Sequence, residues 1–540
     1  MNVVESKQTT TATQTVPTTS GGPRGGLTSM VGKNTVYGIV ASLFQVGTRL
    51  VTVPIIIYHM GLGGYGIWSI IMTAAVYMRF GSVGIKSAFQ KYVAEATGDG
   101  DYDKASALLS TGTAAMMIVS FALLIPVVFF SRQLAVAAGI PPEFLRDTSW
   151  AFSVLALTML FANSGAAYEA IVLGGHRIDV ARRINSILSV AEAIAIVAFL
   201  HIGWGLFAMA SVMAASELIY LVCCYAVAHR VVPQIHVAAR FVTKKVLREL
   251  LRFAGSYQVL SVLQLTYQAI GPIVILRAFG ADSAGVFAVA TRLAQPVMMA
   301  HNAFLLPILS GSAMVFASGD SDRLQRLLTK SFKVTLALTL LPLALLSVFG
   351  TYIVQAWTGQ TNASFHYAIW LVSLALLFQT FCQLGLVLYR ATGGAVMDNV
   401  REVIRLAAFV PVLFMTHRYG FEGVLLWMAG SEFAGMIVMF FAVDKSFRVS
   451  DAKSLVPDTL RLTAATAGIV AFAALAARVI PELALSARML ATIRIGVVGV
   501  ATLVAAYPAL YLTGSISGAE VQSILGVFRR RVGAGAPSVQ

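Results

Sequence analysis

The chain has 540 residues, of which 58% are hydrophobic and only 12% charged, where a soluble domain carries about 25% charged residues. The formal net charge is +15, but its basic residues are spread along the loops between long apolar runs and are not gathered in one patch. That excludes a nucleic-acid-binding domain or a soluble enzyme and points to an all-α polytopic membrane protein.

Residues 1–30, with TTTATQTVPTTSGGPRGG at their centre, are expected to form a disordered cytoplasmic tail, because so little apolar surface cannot offset the entropy of ordering. No short apolar core follows a basic start, so the segment does not read as a signal peptide. Fourteen membrane spans follow, each near the roughly 20 residues that cross a bilayer. Their expected limits are 34–57, 63–84, 106–130, 149–173, 182–201, 204–228, 253–276, 283–309, 332–356, 367–390, 401–417, 421–443, 459–480 and 489–513. The eleventh is short and interrupted at Pro411. The spans group into an N-lobe (31–230), an amphipathic linker (231–252), a C-lobe (253–448), two extra spans (449–515) and a second tail (516–540).

Loop charge sets the orientation. Basic residues on the side of the N terminus number 29, including Arg390, Arg401 and Arg405 beside the eleventh span, against 6 on the opposite side. By the positive-inside rule both termini face the cytoplasm, and the excess also attracts anionic headgroups. The stretch RFVTKKVLRELLRF (240–253) spaces Val242, Val246, Leu247, Leu250 and Leu251 at helical intervals between basic residues, as in a helix lying on the inner surface. VQSILGVFRRR (521–531) has a weaker version of the pattern.

The chain repeats itself. GLGGYGIWSII (61–71) answers to GADSAGVFAVA (280–290), with Gly61 and Gly66 matching Gly280 and Gly285. GDGD (98–101) answers to GDSD (319–322), and Leu108 and Leu109 to Leu327 and Leu328. The period covers six spans, an even number, so both copies enter the membrane in the same sense and a binding site is expected between them.

Four cations fall inside spans: Arg49 in span 1, Arg79 in span 2, Arg292 in span 8 and Arg494 in the last span. An Arg near the bilayer centre costs about 2.5–3.5 kcal/mol on insertion scales, so such residues normally face a wet cavity and meet an anion. At about 1.5 Å per residue, Arg292 lies about 14 Å from the outer end of its span. Arg49, Arg79 and Arg292 are the candidate substrate-binding residues, as a ladder for an anionic group. The alternative is snorkelling to the nearer interface, which Arg494, close to a span end, suits best. Glu192, Glu217 and Glu432, also inside spans, are candidates for proton or ion coupling, or for structural hydrogen bonds and salt bridges. Trp68, Tyr77, Tyr267 and Phe287 could stack on a sugar or simply pack helices together. Cys223, Cys224 and Cys382 lie in apolar spans without ligand spacing, and neither a metal nor another cofactor is expected. Asn362-Ala363-Ser364 is an accidental glycosylation sequon.

The stretch MGLGGYGIWSII followed by SVGIKSAFQKYVAEATGDGD resembles the polysaccharide-transport branch of the MATE-like multidrug/oligosaccharidyl-lipid/polysaccharide flippase superfamily. The likeness is sharp over about residues 60–101 and extends in span order over 31–450. Lys91-Tyr92-Val93-Ala94-Glu95 matches the branch's basic-Tyr-Val-Ala-Glu string, whereas Ser82-Val83-Gly84 stands where the branch commonly has an acidic Asp-Leu-Gly-type tripeptide. The resemblance implies flipping of undecaprenyl-pyrophosphate-linked oligosaccharide units across a bacterial inner membrane for exopolysaccharide, capsule or O-antigen biosynthesis. It implies a polysaccharide polymerase and a chain-length regulator as partners, besides membrane lipids, and no enzyme activity. Lipid II flippases, distant relatives, are similar in carrying essential Arg residues on helices one, two and eight. One rival is a MATE-type exporter of cationic drugs or metabolites, which wants an acidic cavity. Another is a polytopic polysaccharide polymerase or ligase, which wants catalytic His, Asp or Arg in sizeable loops; HExxH, GxSxG and P-loop motifs are all missing from the sequence. A structural scaffold for envelope assembly is the third.

Overall fold

A computed structural model describes residues 24–78, 89, 92–93, 95, 98–175, 177–392, 396–447, 452–479 and 486–512. The described residues form thirteen α-helices and one short 3-10 turn, Ala239–Phe241. They are α1 (Arg24–Met78), α2 (Tyr102–Phe129), α3 (Ser131–Ala137), α4 (Pro142–Gly174), α5 (Ile178–His201), α6 (Gly205–Val231) and α7 (Lys244–Ala317). There follow α8 (Ser321–Thr358), α9 (Ser364–Ala391), α10 (Val396–Phe409), α11 (Val412–Phe447), α12 (Ala452–Val479) and α13 (Ala487–Leu512). By length and composition, ten helices among the described residues suit a membrane span. The count falls below the expected fourteen partly because pairs of expected spans run into one helical element. A straight 55-residue α1 would be about 80 Å long, far more than the roughly 30 Å of hydrocarbon. The element is in fact two helices, parted at Gly61, whose φ of 73° and ψ of 173° lie outside the helical region. The 74-residue α7 parts in the same way at Gly280, and α11 at Gly420.

These breaks follow the repeat. Of nine positive-φ glycines among the described residues, eight pair across the repeat, 61, 100, 139 and 203 with 280, 319, 359 and 420, each pair 217–220 positions apart; Gly205 stands outside the pairing. Only glycine visits such backbone without a Cβ penalty, so the period is written into the turns even where the helices between have diverged. The two acidic turns have an equally local cause. Asp101 accepts from the Lys104 backbone N–H (3.0 Å) and Asp320 from that of Arg323 (2.8 Å), so GDGD and GDSD are N-caps of α2 and α8.

Helices α1, α2, α4, α5 and α6 pack together, as do α7 to α11; α12 and α13 lie against α8. The principal contact between the two groups is α1 on α7. Around it lies the largest apolar cluster, with Ile57, Ile67, Ile71, Ile275, Val286, Val289 and Ala290 buried. Trp68 and Tyr267 belong to that core, and Phe287 packs against it, so all three serve helix packing; the side chain of Tyr77 lies outside the described residues. Two further expectations need revision. The stretch RFVTKKVLRELLRF is largely the start of α7, which continues without interruption into the next span from Lys244. Leu250 there is buried against Leu108 of α2, which draws the segment onto the bundle. The eleventh span is not one helix over 401–417: α10 ends at Phe409, α11 begins at Val412 beyond Pro411, and the chain turns at Gly420.

Candidate functional site

The α1–α7 seam is closest at two glycines. A Cβ on Gly66 would lie 2.5 Å from the Ala281 carbonyl oxygen and 2.5 Å from the Gly285 nitrogen. A Cβ on Gly285 would strike the Leu62 carbonyl oxygen and lie 2.8 Å from Leu62 Cγ. The equivalent glycines of the repeat thus meet backbone to backbone. Gly139 lies hard against Arg277 beside them, and Trp357 Nε1 of α8 donates to the Leu50 carbonyl of α1 (2.8 Å). The two helix groups are therefore shut tight at the end that carries Gly61, Gly139 and Gly280.

Arg292 lies seven residues beyond Gly285, which returns the helix to nearly the same face about 10 Å further along. By that register it falls on the side of α7 that Gly285 presents to the seam. The residue is half-buried, and its Nη1 donates to Gln295 Oε1 (2.7 Å). Among the described residues no carboxylate is within ion-pair distance of it. A half-buried guanidinium that no described carboxylate neutralises has capacity for an anion. Arg49 is in α1 next to Leu50, with its side chain outside the described residues; Arg79 lies outside them altogether. Arg494 of α13 stands over the Tyr352 ring at 5.4 Å, away from the seam.

The candidate carboxylates divide. Glu192 and Glu217 are half-buried on α5 and α6, and neither lacks a partner. Glu432 of α11 is buried between two cations: Arg401 Nη2 at 2.9 Å and Arg405 Nη1 at 2.8 Å. Glu402 completes the group, 2.7 Å from Arg401 Nη1 and paired with Arg405. The Arg405 guanidinium lies 3.7 Å from the Tyr267 ring centre. Two cations and two anions cancel, which is how a buried charge group survives in low dielectric. Glu432 is a salt-bridge partner, but of Arg401 and Arg405, not of the span cations.

This cluster qualifies the loop count, in which Arg401 and Arg405, at the edge of the eleventh span, were assigned to the adjoining loop. They are 1% and 3% exposed. Helix α10 is inverted: Asp398, Arg401, Glu402, Arg405 and Phe409 face inward, while Val396, Val400 and Val403 are exposed. Asp398 is itself held by Arg390 through two 2.8 Å bonds. The signal was present in the spacing 398, 401/402, 405, which is one helical face; counting every span-edge Arg as loop charge hid it.

An all-helical bundle with two like-organised groups meeting at an α1–α7 seam defines a polytopic membrane protein of the transporter type. The family model described as "Polysaccharide biosynthesis protein" matches residues 31–314, more than half of the chain. The chain belongs to that family. Among solved structures it is similar to an inward-facing multidrug resistance MATE family transporter of the MOP superfamily (15% identity, TM-score 0.65, covering 76% of this chain and 96% of that one). It is also similar to the lipid II flippase MurJ in an inward closed conformation (15% identity, TM-score 0.67, 88% and 99%). A third is a MOP superfamily transporter from Pyrococcus furiosus, described as having a binding pocket of reversed polarity (14% identity, TM-score 0.59, 78% and 96%). At such identities the likeness establishes the MOP fold. No curated protein matches the sequence.

Proposed function

We propose that this protein is a flippase for lipid-linked oligosaccharides, taking polyprenyl-pyrophosphate-borne repeat units from the cytoplasmic to the periplasmic leaflet of a bacterial inner membrane. The observation that supports the reading is Arg292: half-buried, two helical turns beyond the seam glycine Gly285, and without a carboxylate partner among the described residues. Membership of the polysaccharide biosynthesis family supplies the substrate class. Arg49 and Arg79, on the two helices parted by the Gly61 break or just beyond them, extend the cationic path in this proposal. Arg offers paired, charge-assisted hydrogen bonds to a diphosphate. The sugar needs a hydrated passage between the helix groups, and the lipid stays in the bilayer through a lateral opening.

In this reading both termini are cytoplasmic, so the glycine-locked end of the seam is the periplasmic end. Export of a diphosphate with two uncompensated charges would gain about 4–5 kcal/mol per 100 mV of membrane potential. Glu432 and Glu402, neutralised by Arg401 and Arg405, are a poor cation site, which disfavours a MATE-type cation exporter; Glu192 and Glu217 remain the candidates for coupling. A polysaccharide polymerase and a chain-length regulator are the proposed partners. The test is Arg292→Ala and Arg292→Lys, scored by lipid-linked sugar retained on the cytoplasmic leaflet. The expected result is loss of export in the alanine variant and partial function in the lysine variant, with normal membrane insertion of both. Normal surface polysaccharide from Arg292→Ala would refute the assignment.

A further inference from the structure

Away from the seam two imidazoles meet at helix ends. His59 lies two residues before the Gly61 break in α1, and His201 is the last residue of α5, two before Gly203. His59 Nδ1 is 2.9 Å from the Ile55 carbonyl oxygen. A carbonyl can only accept, so His59 Nδ1 carries the proton and donates it. In the neutral ring His59 Nε2 is then left with its bare lone pair. That lone pair is 3.1 Å from His201 Nδ1, with the ring planes at 90° and centroids 4.5 Å apart.

Two imidazole nitrogens on one tetrahedral ion, each bonded at about 2.0–2.1 Å, stand about 3.3 Å apart. The N···N separation therefore comes within a few tenths of an ångström of that of a shared ion, and a modest turn of the exposed His201 ring aims both lone pairs at it. A backbone carbonyl on the far nitrogen is also how metal-ligating histidines are oriented and kept in the right tautomer. Without an ion, the proton of His201 Nδ1 fills the gap as a hydrogen bond.

We propose that His59 and His201 form a divalent transition-metal site, for Zn²⁺, Ni²⁺ or Cu²⁺. Imidazole pairs suit this class, whereas Mg²⁺ and Ca²⁺ prefer oxygen ligands. No group of three or more His, Cys, Asp or Glu ligands occurs among the described residues, so water completes the coordination at this accessible position. Binding requires the neutral His201 ring to exchange tautomer through solvent, so that its one proton sits on Nε2 and the Nδ1 lone pair is free for the ion, and the ion joins the end of α1 to the end of α5. Since α1 also forms the seam with α7, the ion stiffens the helix on which the junction of the two groups turns. This inference does not depend on what the protein transports.

The test uses the full-length protein in lipid nanodiscs, stripped with EDTA. Isothermal titration with Ni²⁺ should give one site per chain, and His59→Ala or His201→Ala should each lower its affinity at least tenfold. Cu²⁺ electron paramagnetic resonance should show coupling to two imidazole nitrogens in the native protein and to one in either variant. Thermal unfolding without metal reports whether the variants are folded, and the native Cu²⁺ spectrum stands even if they are not. Absence of saturable binding in the native protein, equal binding by the double variant, or a native spectrum with a single nitrogen would overturn the site.

Discussion

Replacing Gly285 by Ala tests whether the seam must close through bare backbone. The added Cβ would lie 2.8 Å from Leu62 Cγ and 2.9 Å from the Leu62 carbonyl carbon, with the carbonyl oxygen nearer still. Carbon atoms pack at about 3.5–4.0 Å, so α1 and α7 must part by roughly 1 Å at their crossing. The obstruction is backbone, which has no rotamer to yield. Overpacking of this kind costs about 1–3 kcal/mol. If a second state separates the helices, the substitution biases the equilibrium toward it by about 5- to 150-fold. A Gly63→Cys/Ala281→Cys pair, in a background without the three native cysteines, reads the closed state. The two Cβ positions are 3.1 Å apart, a few tenths of an ångström inside the roughly 3.5–4.5 Å of a disulfide, so the bond forms only while the seam is closed. Gly285→Ala should slow disulfide formation and lower transport, and Gly66→Ala should do likewise without the two effects adding, because both clash at one crossing. Unchanged disulfide yield and unchanged thermal stability in Gly285→Ala would refute the reasoning.

Two further substitutions probe the interior of the second helix group. Glu432→Gln leaves Arg401 and Arg405 sharing one carboxylate, and should cost about 3–5 kcal/mol, read as a lower unfolding temperature in detergent; the double change Glu432→Leu/Arg405→Leu, which removes one charge of each sign, should recover much of the loss. His301 of α7 is fully buried, and neither ring nitrogen has a hydrogen-bond partner among the described residues. An unsatisfied buried polar group costs about 1–3 kcal/mol, so His301→Met should raise the unfolding temperature, and a clear fall would show that the ring has an unrecognised partner.

Membrane class, helical content and the six-span repeat were legible because each rests on local chemistry. Apolar runs of about 20 residues satisfy their backbone only as helices in a bilayer. The matched turns GLGG/GADS and GDGD/GDSD carry the two things a turn needs, a glycine for positive φ and an aspartate for capping. The inverted face of α10 was harder to read, since a charged stripe looks alike in sequence whether it meets water or a partner. Only Glu432, 27 positions after Arg405 and brought to it by the packing of α10 on α11, distinguishes the two. The same holds for His59 and His201, isolated residues until α1 and α5 lie side by side.

The sequence by itself determined what each segment must be, because burial of apolar groups, glycine turns and helix caps act within one or two helical turns. The tertiary structure alone decided which charges are spent and which are available. Arg405 and Arg292 are the same side chain, yet one is cancelled by carboxylates from two helices and the other, among the described residues, is held by Gln295. Electrostatic free energy depends on distance through space, and residues far apart along the chain become neighbours only when the helices pack.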